Sequence, residues 1–291
     1  MKPAKFDYYD PRSLEEALAL LDRHPDDAKV LAGGQSLMPL LNMRLARPNI
    51  VVDINRIKEL NYVRASDGGI VIGALARQRA LQTEQLIAER LPILQEGAYY
   101  IAHPQIRSRG TICGSIAHAD PAAELPALAL ALEAEMTLSS AKGTRSVGAE
   151  TFFQSFFTTA LAANEILTEV RFPAPPKDSA WSVLEISRRH GDFAIAGIVA
   201  GLALDPDRQV IAQARLVYFG VGPTPIRVKA AEAALIGQHA EEAAFEAAAQ
   251  SAKQGIDPSN DIHASEEYRR AVAATLTKRA LRAAVEKLTN G

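Results

Sequence analysis

The sequence predicts an α+β protein built in two parts, and three observations carry that prediction. Helical and strand signals alternate at short intervals through the first third of the chain. A proline cluster, Pro173-Ala174-Pro175-Pro176, interrupts it past the middle. Beyond the cluster, three extended segments come first and three helical ones follow. Clustered prolines forbid helix and interrupt sheet pairing, which suits a stiff connector. The division expected is therefore residues 1–176 and residues 177–291.

The elements follow in order. Ser13 and Glu16 have capping-box spacing, and Leu14, Ala17, Leu18 and Leu21 then recur on one helical face. AKVLAGG reads as a short buried strand running into a double-glycine turn. A helix-like stretch at 36–45 and a strand, IVVDI, come next. YVRA and IVIGA flank Ser66-Asp67-Gly68-Gly69, a hairpin signal. Residues 77–101 are mostly helical in pattern and break at His103-Pro104. A glycine-bearing loop, RGTICGS, leads to the helix-like PAAELPALALALEA, and MTLSS and EILTEVRF read as strands. Past the prolines, WSVLEISRR, FAIAGIVAGLAL and VIAQARLVYFGVG are joined by short turns such as Asp205-Pro206-Asp207 and should run antiparallel. Helical stretches at 227–236, 240–254 and 265–288 close the chain.

Composition narrows the function. The 291 residues are 48% apolar and 23% charged, a globular balance. Lys plus Arg is 32 and Asp plus Glu is 34, leaving −2, so no nucleic-acid partner is expected. A single cysteine excludes a disulfide framework, a C-x-x-C pair and a multi-thiolate metal site supplied by this chain alone. The longest apolar run, 194–204, falls short of the roughly 18–20 residues that span a bilayer. MKPAKFDYYD lacks the apolar stretch of a signal peptide. A cytoplasmic protein without a transmembrane segment is the expectation. There is no G-x-G-x-x-G between strand and helix, no Gly-Lys-Ser/Thr, no H-E-x-x-H and no G-x-S-x-G. The six histidines are scattered, none at ligand spacing from another or from Cys113, so neither a metal site nor a catalytic dyad is expected.

What remains is a pair of segments rich in small residues. Ala32-Gly33-Gly34-Gln35-Ser36-Leu37 lies between a strand and a helix start. Gly110-Thr111-Ile112-Cys113-Gly114-Ser115 precedes Ile116-Ala117-His118-Ala119-Asp120. A phosphate needs several backbone N–H groups converging on it, and glycine both admits that approach and reaches φ > 0. A helix N-terminus adds unpaired N–H groups, and Ser36, Thr111 and Ser115 add hydroxyls. Two such loops could share a diphosphate without a basic cluster. By spacing alone, Gly33-Gly34 is equally a tight turn, and Gly110 and Gly114 equally loop punctuation.

Taken together, AGGQSLMPLLNMRLARP and RGTICGSIAHADPAAELPA resemble the FAD-binding medium subunits of molybdenum-containing hydroxylases. This is the family of carbon monoxide dehydrogenase flavoproteins and xanthine dehydrogenase FAD subunits. The resemblance continues in SRRHGDFAIAG and DIHASEEYRR and so spans nearly the whole chain. It implies a two-part FAD-binding domain of the vanillyl-alcohol-oxidase (PCMH) type, parted at about residue 56, followed by a C-terminal domain of antiparallel sheet and helices. It places the FAD diphosphate on Ala32, Gly33, Gly34, Gln35, Ser36 and Leu37, and on Gly110, Thr111, Ile112, Cys113, Gly114 and Ser115. Cys113 departs from the family, which most often has glycine there, and a side chain opposes φ > 0. A valine at Gly34 is expected to abolish FAD binding by blocking amide approach.

The resemblance also puts Glu124 on the flavin hydroxyls, Ile101 and Leu167 at apolar positions near the ring, and Asp192 and Phe193 beside the isoalloxazine. Read as residues alone, Glu124 is as readily a solvated first-turn carboxylate, Ile101 and Leu167 ordinary core, and Phe193 a strand-core aromatic. His118 and Asp120 are placed in a supporting role, and Arg188 and Arg189 at the surface or an interface. The implied enzyme has three subunits: a large one with the molybdenum cofactor, a small one with two 2Fe-2S clusters, and this chain with FAD, assembled as a dimer of heterotrimers. Electrons would pass from the clusters through FAD to an external acceptor. The alternative is a self-contained FAD-dependent oxidase with its own small organic substrate.

Overall fold

The computed structural model describes residues 1–205, 207 and 210–290; Pro206, in one of the turns expected from sequence, lies outside them. Strands β1 (Asp7–Tyr9), β2 (Ala28–Leu31) and β3 (Ile50–Asp53) form a parallel sheet in the order β1-β3-β2. Parallel strands of one sheet need crossover connections, and the helix Leu14–Arg23 supplies the one from β1 to β2, across β3. Ser13 Oγ accepts from the Glu16 N–H at 3.2 Å, while Glu16 accepts from the Arg12 N–H at 2.7 Å, one residue earlier than a regular capping box. Ala17, Leu18 and Leu21 are the buried stripe.

The second sheet is antiparallel, in the order β4-β5-β10-β6-β7: β4 (Val63–Ser66), β5 (Gly69–Gly73), β6 (Glu135–Ser140), β7 (Gly143–Gly148) and β10 (Ile166–Phe172). A small hairpin, β8 (Phe153–Ser155) and β9 (Thr158–Thr159), stands apart. Asp67 and Gly68, with φ of 38° and 81°, make the β4–β5 turn, matching the right-handed twist of its strands. The helical pattern at 77–101 resolves into three helices, Ala80–Thr83, Gln85–Arg90 and Pro92–Tyr100. Pro92 drives Leu91 out of helical backbone, to φ −142° and ψ 59°. Pro104, expected as a break, opens the helix Pro104–Arg107, where its missing N–H goes unmissed.

The third sheet runs β11 (Ser179–Ile186), β12 (Ala196–Leu204), β13 (Ile211–Phe219) and β14 (Ile226–Arg227), antiparallel throughout as expected. Gly197 lies opposite Phe219, and Gly201 opposite Trp181. A Cβ at Gly197 would run into the phenyl ring and one at Gly201 would come within 2.5 Å of the indole, so each aromatic covers the gap its glycine leaves. One face of this sheet packs on the helix Glu266–Asn290, which in turn packs on the helix Glu242–Gly255. The other face meets the helix Glu124–Ala131, whose eight residues are all buried. A helix apolar all round must be covered on every side. Here it is clamped between the first core and the third sheet, which carries the start of that helix inside the molecule.

Candidate functional site

The two glycine-bearing segments touch. A Cβ on Gly33 would fall 2.6 Å from the Arg109 carbonyl oxygen, 2.7 Å from Gly110 Cα and 2.8 Å from the Thr111 nitrogen. Gly33 thus permits one loop to lie backbone to backbone on the other. Gly34 has φ +74°, and its missing Cβ would face Leu31 and Met38 rather than open space. What glycine supplies at these two places is close loop contact and a left-handed turn, so a substitution at Gly34 strains the backbone as well. Ser36 is the N-cap of the helix Leu37–Asn42, yet its side chain makes no capping bond. Gln35 Nε2 turns back on the Gly33 carbonyl at 3.1 Å.

The second segment is a helix start and not a loop. Thr111 caps the helix Ile112–His118, its Oγ1 accepting from the Gly114 N–H at 3.1 Å. Gly110 and Gly114 both keep negative φ, and so does Cys113, which lies inside the helix with its side chain buried. No left-handed residue is required there, so a cysteine is accommodated without backbone strain. Its Sγ contacts the Ile72 carbonyl at 3.5 Å, and burial pushes the thiol well above its usual range.

A polar strut that the sequence reading missed ties the segments together from behind. Arg77 Nη1 donates to the Arg109 carbonyl at 2.6 Å and Nη2 to Asn55 Oδ1 at 2.6 Å. Asn55 Nδ2 in turn donates to the Ala32 carbonyl at 2.7 Å. Asp53 orients Asn55, accepting from its N–H at 2.9 Å and its amide at 2.6 Å, and itself accepts from the Tyr8 hydroxyl at 2.7 Å. That hydrogen bond, with burial, pushes the Tyr8 phenol up to about 12. No spacing rule links positions 32, 55, 77 and 109, so only the fold reveals them.

Glu124, the first residue of its helix, is 6% exposed, which overturns the reading of it as a solvated carboxylate. Burial pushes its carboxyl up to about 7, and the nearby Asp120 adds to the shift. Glu185 on β11 is raised further, to about 9, by burial and then by the charge of Glu124. Its Oε2 is buried without a hydrogen-bond partner. Asp120 is raised and His118 lowered, both chiefly by burial, and the His118 ring packs on Phe157 at 5.0 Å.

The raised carboxyls make a stability prediction for the flavin-free chain. The unfolded chain loses these protons near the ordinary carboxyl value of 4.5, while the folded one keeps them to about 7 and about 9. Between those limits the native state binds more protons than the unfolded, so stability falls as pH rises, by about 1.4 kcal/mol per pH unit for each group. Glu185→Gln removes one such loss. Its melting temperature is expected to exceed wild type by a few degrees at about pH 8 and to match it at about pH 4, measured by thermal unfolding.

The remaining residues fall in two groups. Ile101 and Leu167 are 5% and 3% exposed and belong to the larger core. Asp192 and Phe193 are exposed, Phe193 by 61%, which corrects the strand-core reading of that aromatic. Their turn is nonetheless anchored beside Ile101. A Cβ on Gly191 would lie 2.7 Å from the His103 ring and 2.8 Å from the Ala102 carbonyl, and the His190 ring packs on Tyr99 at 4.7 Å. Two open surface depressions, one lined by Tyr9, Glu16 and Leu20 and the other by Ile186, Tyr268 and Leu276, lie apart from these groups and share none of their residues. No group of acidic, histidine or cysteine side chains able to hold a metal occurs among the described residues, and none of their helices is long and apolar enough to cross a membrane.

The two glycine-bearing segments, closed on each other in an α+β frame, belong to a chain of the FAD-binding class, as its family models show. Family models match in two stretches, the FAD binding domain in molybdopterin dehydrogenase over residues 4–175 and the CO dehydrogenase flavoprotein C-terminal domain over residues 181–284. The chain is 46% identical over 287 residues to the 6-hydroxypseudooxynicotine dehydrogenase complex subunit alpha of Paenarthrobacter nicotinovorans, covering 99% of this chain and 97% of that one. It is 38% identical to the carbon monoxide dehydrogenase medium chain of Hydrogenophaga pseudoflava, covering 98% of each. A solved structure of the Hydrogenophaga pseudoflava carbon monoxide dehydrogenase, lacking the Mo-pyranopterin moiety of its molybdenum cofactor, superimposes with a TM-score of 0.95 at 40% identity, over 98% of this chain and 99% of that one. The chain belongs to the FAD-binding family of the molybdopterin dehydrogenases and is an oxidoreductase subunit.

Proposed function

We propose that this chain is the FAD-carrying medium subunit of a heterotrimeric molybdenum hydroxylase, divided into an FAD-binding part, residues 1–176, and a C-terminal part, residues 177–291. Its partners are a large subunit with the molybdenum cofactor and a small subunit with two 2Fe-2S clusters, in a dimer of heterotrimers. The observation that carries the reading is the backbone contact of Gly33 with residues 109–111, which turns two separate glycine segments into one clamp. The residues fit a flavin dinucleotide. Ser36 makes no capping bond, Glu124 is buried with its carboxylate accepting from its own N–H, and Gln78 Oε1 is buried unpartnered beside Gly110.

In this reading the backbone N–H groups of residues 32–37 and 110–115, with the Ser36, Thr111 and Ser115 hydroxyls, hold the diphosphate. Glu124, buried at the start of its helix, accepts from flavin hydroxyls. Ile101 and Leu167 supply apolar surroundings for the ring, and Phe193 covers one face while Asp192 stands beside it. FAD, when bound, relays electrons from the partner clusters to an external acceptor. The chain's own part is to bind, orient and shield it, and it needs no acid–base pair of its own.

Purification from its native source, both in the intact complex and as the separated chain, tests this. The expected result is a yellow chain with one FAD, reduced by the iron–sulfur partner and by no organic substrate alone. Turnover of a small organic substrate by the isolated chain would make it a self-contained oxidase instead. A colourless chain in a complete, active complex would equally overturn the reading.

A further inference from the structure

We infer that Arg269 is a positioning residue: it fixes the segment 188–195 and, resting here on the FAD reading above, thereby sets where Asp192 and Phe193 stand against the flavin. Arg269 lies in the first turn of the helix Glu266–Asn290, within the DIHASEEYRR stretch that the diphosphate clamp leaves unexplained, and is 6% exposed. Its Nη1 donates to the carbonyls of Ile195 and Gly220, the latter at 2.9 Å, and its Nη2 to Asp261 Oδ2 at 2.6 Å. The first of these carbonyls is two residues from Phe193. The second belongs to a residue whose own N–H donates to the Pro121 carbonyl at 2.8 Å. One guanidinium therefore joins the aromatic-bearing turn to the chain between the second glycine segment and Glu124.

The other end of the turn is tied to the same stretch. Asp261 Oδ1 accepts from the His263 and Ala264 N–H groups at 2.8 and 2.9 Å, which shapes the loop. The His263 Nδ1 then lies 3.4 Å from Arg188 Nη1. Between these ties the Ile195 N–H closes on the Ile186 carbonyl at 2.7 Å, and Gly191 and His190 rest on residues 99–103. The segment is held at its base, its middle and its far end, and Asp192 and Phe193 lie exposed between these ties.

Arginine suits this task and lysine does not. Two carbonyls bond at Nη1 and a carboxylate at Nη2, so a planar fork serves all three from two nitrogens, whereas an ammonium has only one. A guanidinium this buried also carries a desolvation cost that an apolar residue would avoid. Its Nε has no hydrogen-bond partner, so the burial is not explained by full satisfaction of the group. What the charge secures is a defined position for the two backbone carbonyls.

The test uses the full chain, with and without FAD, as wild type, Arg269→Lys, Phe193→Ala and the double variant. In the flavin-free chain, hydrogen exchange of amides 188–195 is expected to speed up about tenfold in Arg269→Lys, with the interior of β12 and β13 unchanged. With FAD, Arg269→Lys is expected to shift the midpoint potential and the long-wavelength flavin circular dichroism in the same direction as Phe193→Ala. The double variant should add nothing to Phe193→Ala, and FAD affinity should stay within about threefold because the clamp is untouched. Unchanged exchange at 188–195, or additive flavin shifts, would overturn the inference. If Arg269→Lys does not fold, Asp261→Asn replaces it, leaving the carbonyl bonds while removing the carboxylate charge. It should give the same pattern at smaller amplitude, and an unshifted pattern would count against the latch. A wild type that binds no FAD would sink the FAD reading, while the exchange result still decides the latch.

Discussion

Gly33→Val is expected to weaken FAD binding by at least about a hundredfold, close to 3 kcal/mol, and to leave the chain colourless at micromolar concentration. The side chain would meet backbone at 2.6 to 2.8 Å on three atoms of residues 109–111, and backbone pinned by its own hydrogen bonds cannot move aside as a side-chain tip can. Arg109 is fixed through its N–H to Ile106 and Gly110 through its N–H to Ile106 and its carbonyl to Gln78, so the loops must separate instead. Gly34→Ala provides the contrast. Its Cβ would meet the Leu31 and Met38 side chains at 3.2 and 3.3 Å, both flexible, and the main cost is holding alanine at φ +74°. That cost is about 1 kcal/mol, so a loss nearer five- to tenfold is expected. Titrating flavin-free protein with FAD and following flavin absorbance measures both. Equal losses at the two glycines would mean that loop contact is not what matters.

These two glycines also show how far a sequence can be read. Their presence between a strand and a helix start is visible in the letters, and so is the pairing of the two segments once their resemblance is noticed. What an added Cβ would meet at Gly33 depends on a neighbour about 77 residues away, which no local rule supplies, whereas at Gly34 it would meet Leu31 and Met38 close by in the chain. Local signals served well elsewhere for the same reason: the Ser13 cap, the Asp67-Gly68 turn and the three long antiparallel strands each depend on residues adjacent in the chain. The letters leave Glu124 open between a flavin ligand and a solvated carboxylate, because first-turn acids usually are solvated, and its burial removes the second. Its burial comes with the packing of its helix on β12 and β13, partners about seventy residues or more further on. The strand β1 went unseen because its three residues are all exposed and show no alternation. Cys113 seemed a difficulty only while its segment was taken as a loop. Within a helix, the angle that glycine would have allowed is never needed.

The strut behind the clamp yields the second large effect. Arg77 reaches one carbonyl in the second segment directly and one in the first through Asn55, so it sets the separation of the two. Arg77→Met leaves Asn55 Oδ1 and the Arg109 carbonyl without their donor, and each such loss costs about 1–3 kcal/mol when the group stays buried. Both groups are partly reachable by water, which places the expected loss of FAD affinity at roughly ten- to a hundredfold. Charge acts in the same direction. Burial lowers the affinity of the Arg77 guanidinium for its proton, and the positive Arg109 beside it lowers it further. The Asp53 carboxylate offsets part of the repulsion between the two cations, and in the FAD reading the diphosphate would relieve more of it. FAD affinity should accordingly weaken with added salt in wild type, and less steeply in Arg77→Met. Asn55→Leu should lose affinity by a similar factor. The Asn55→Leu/Arg77→Met pair should be clearly less than additive, since either substitution alone breaks the same bridge. Additive losses, or a salt dependence identical in wild type and Arg77→Met, would show that Arg77 supports the fold in general and not the spacing of the clamp.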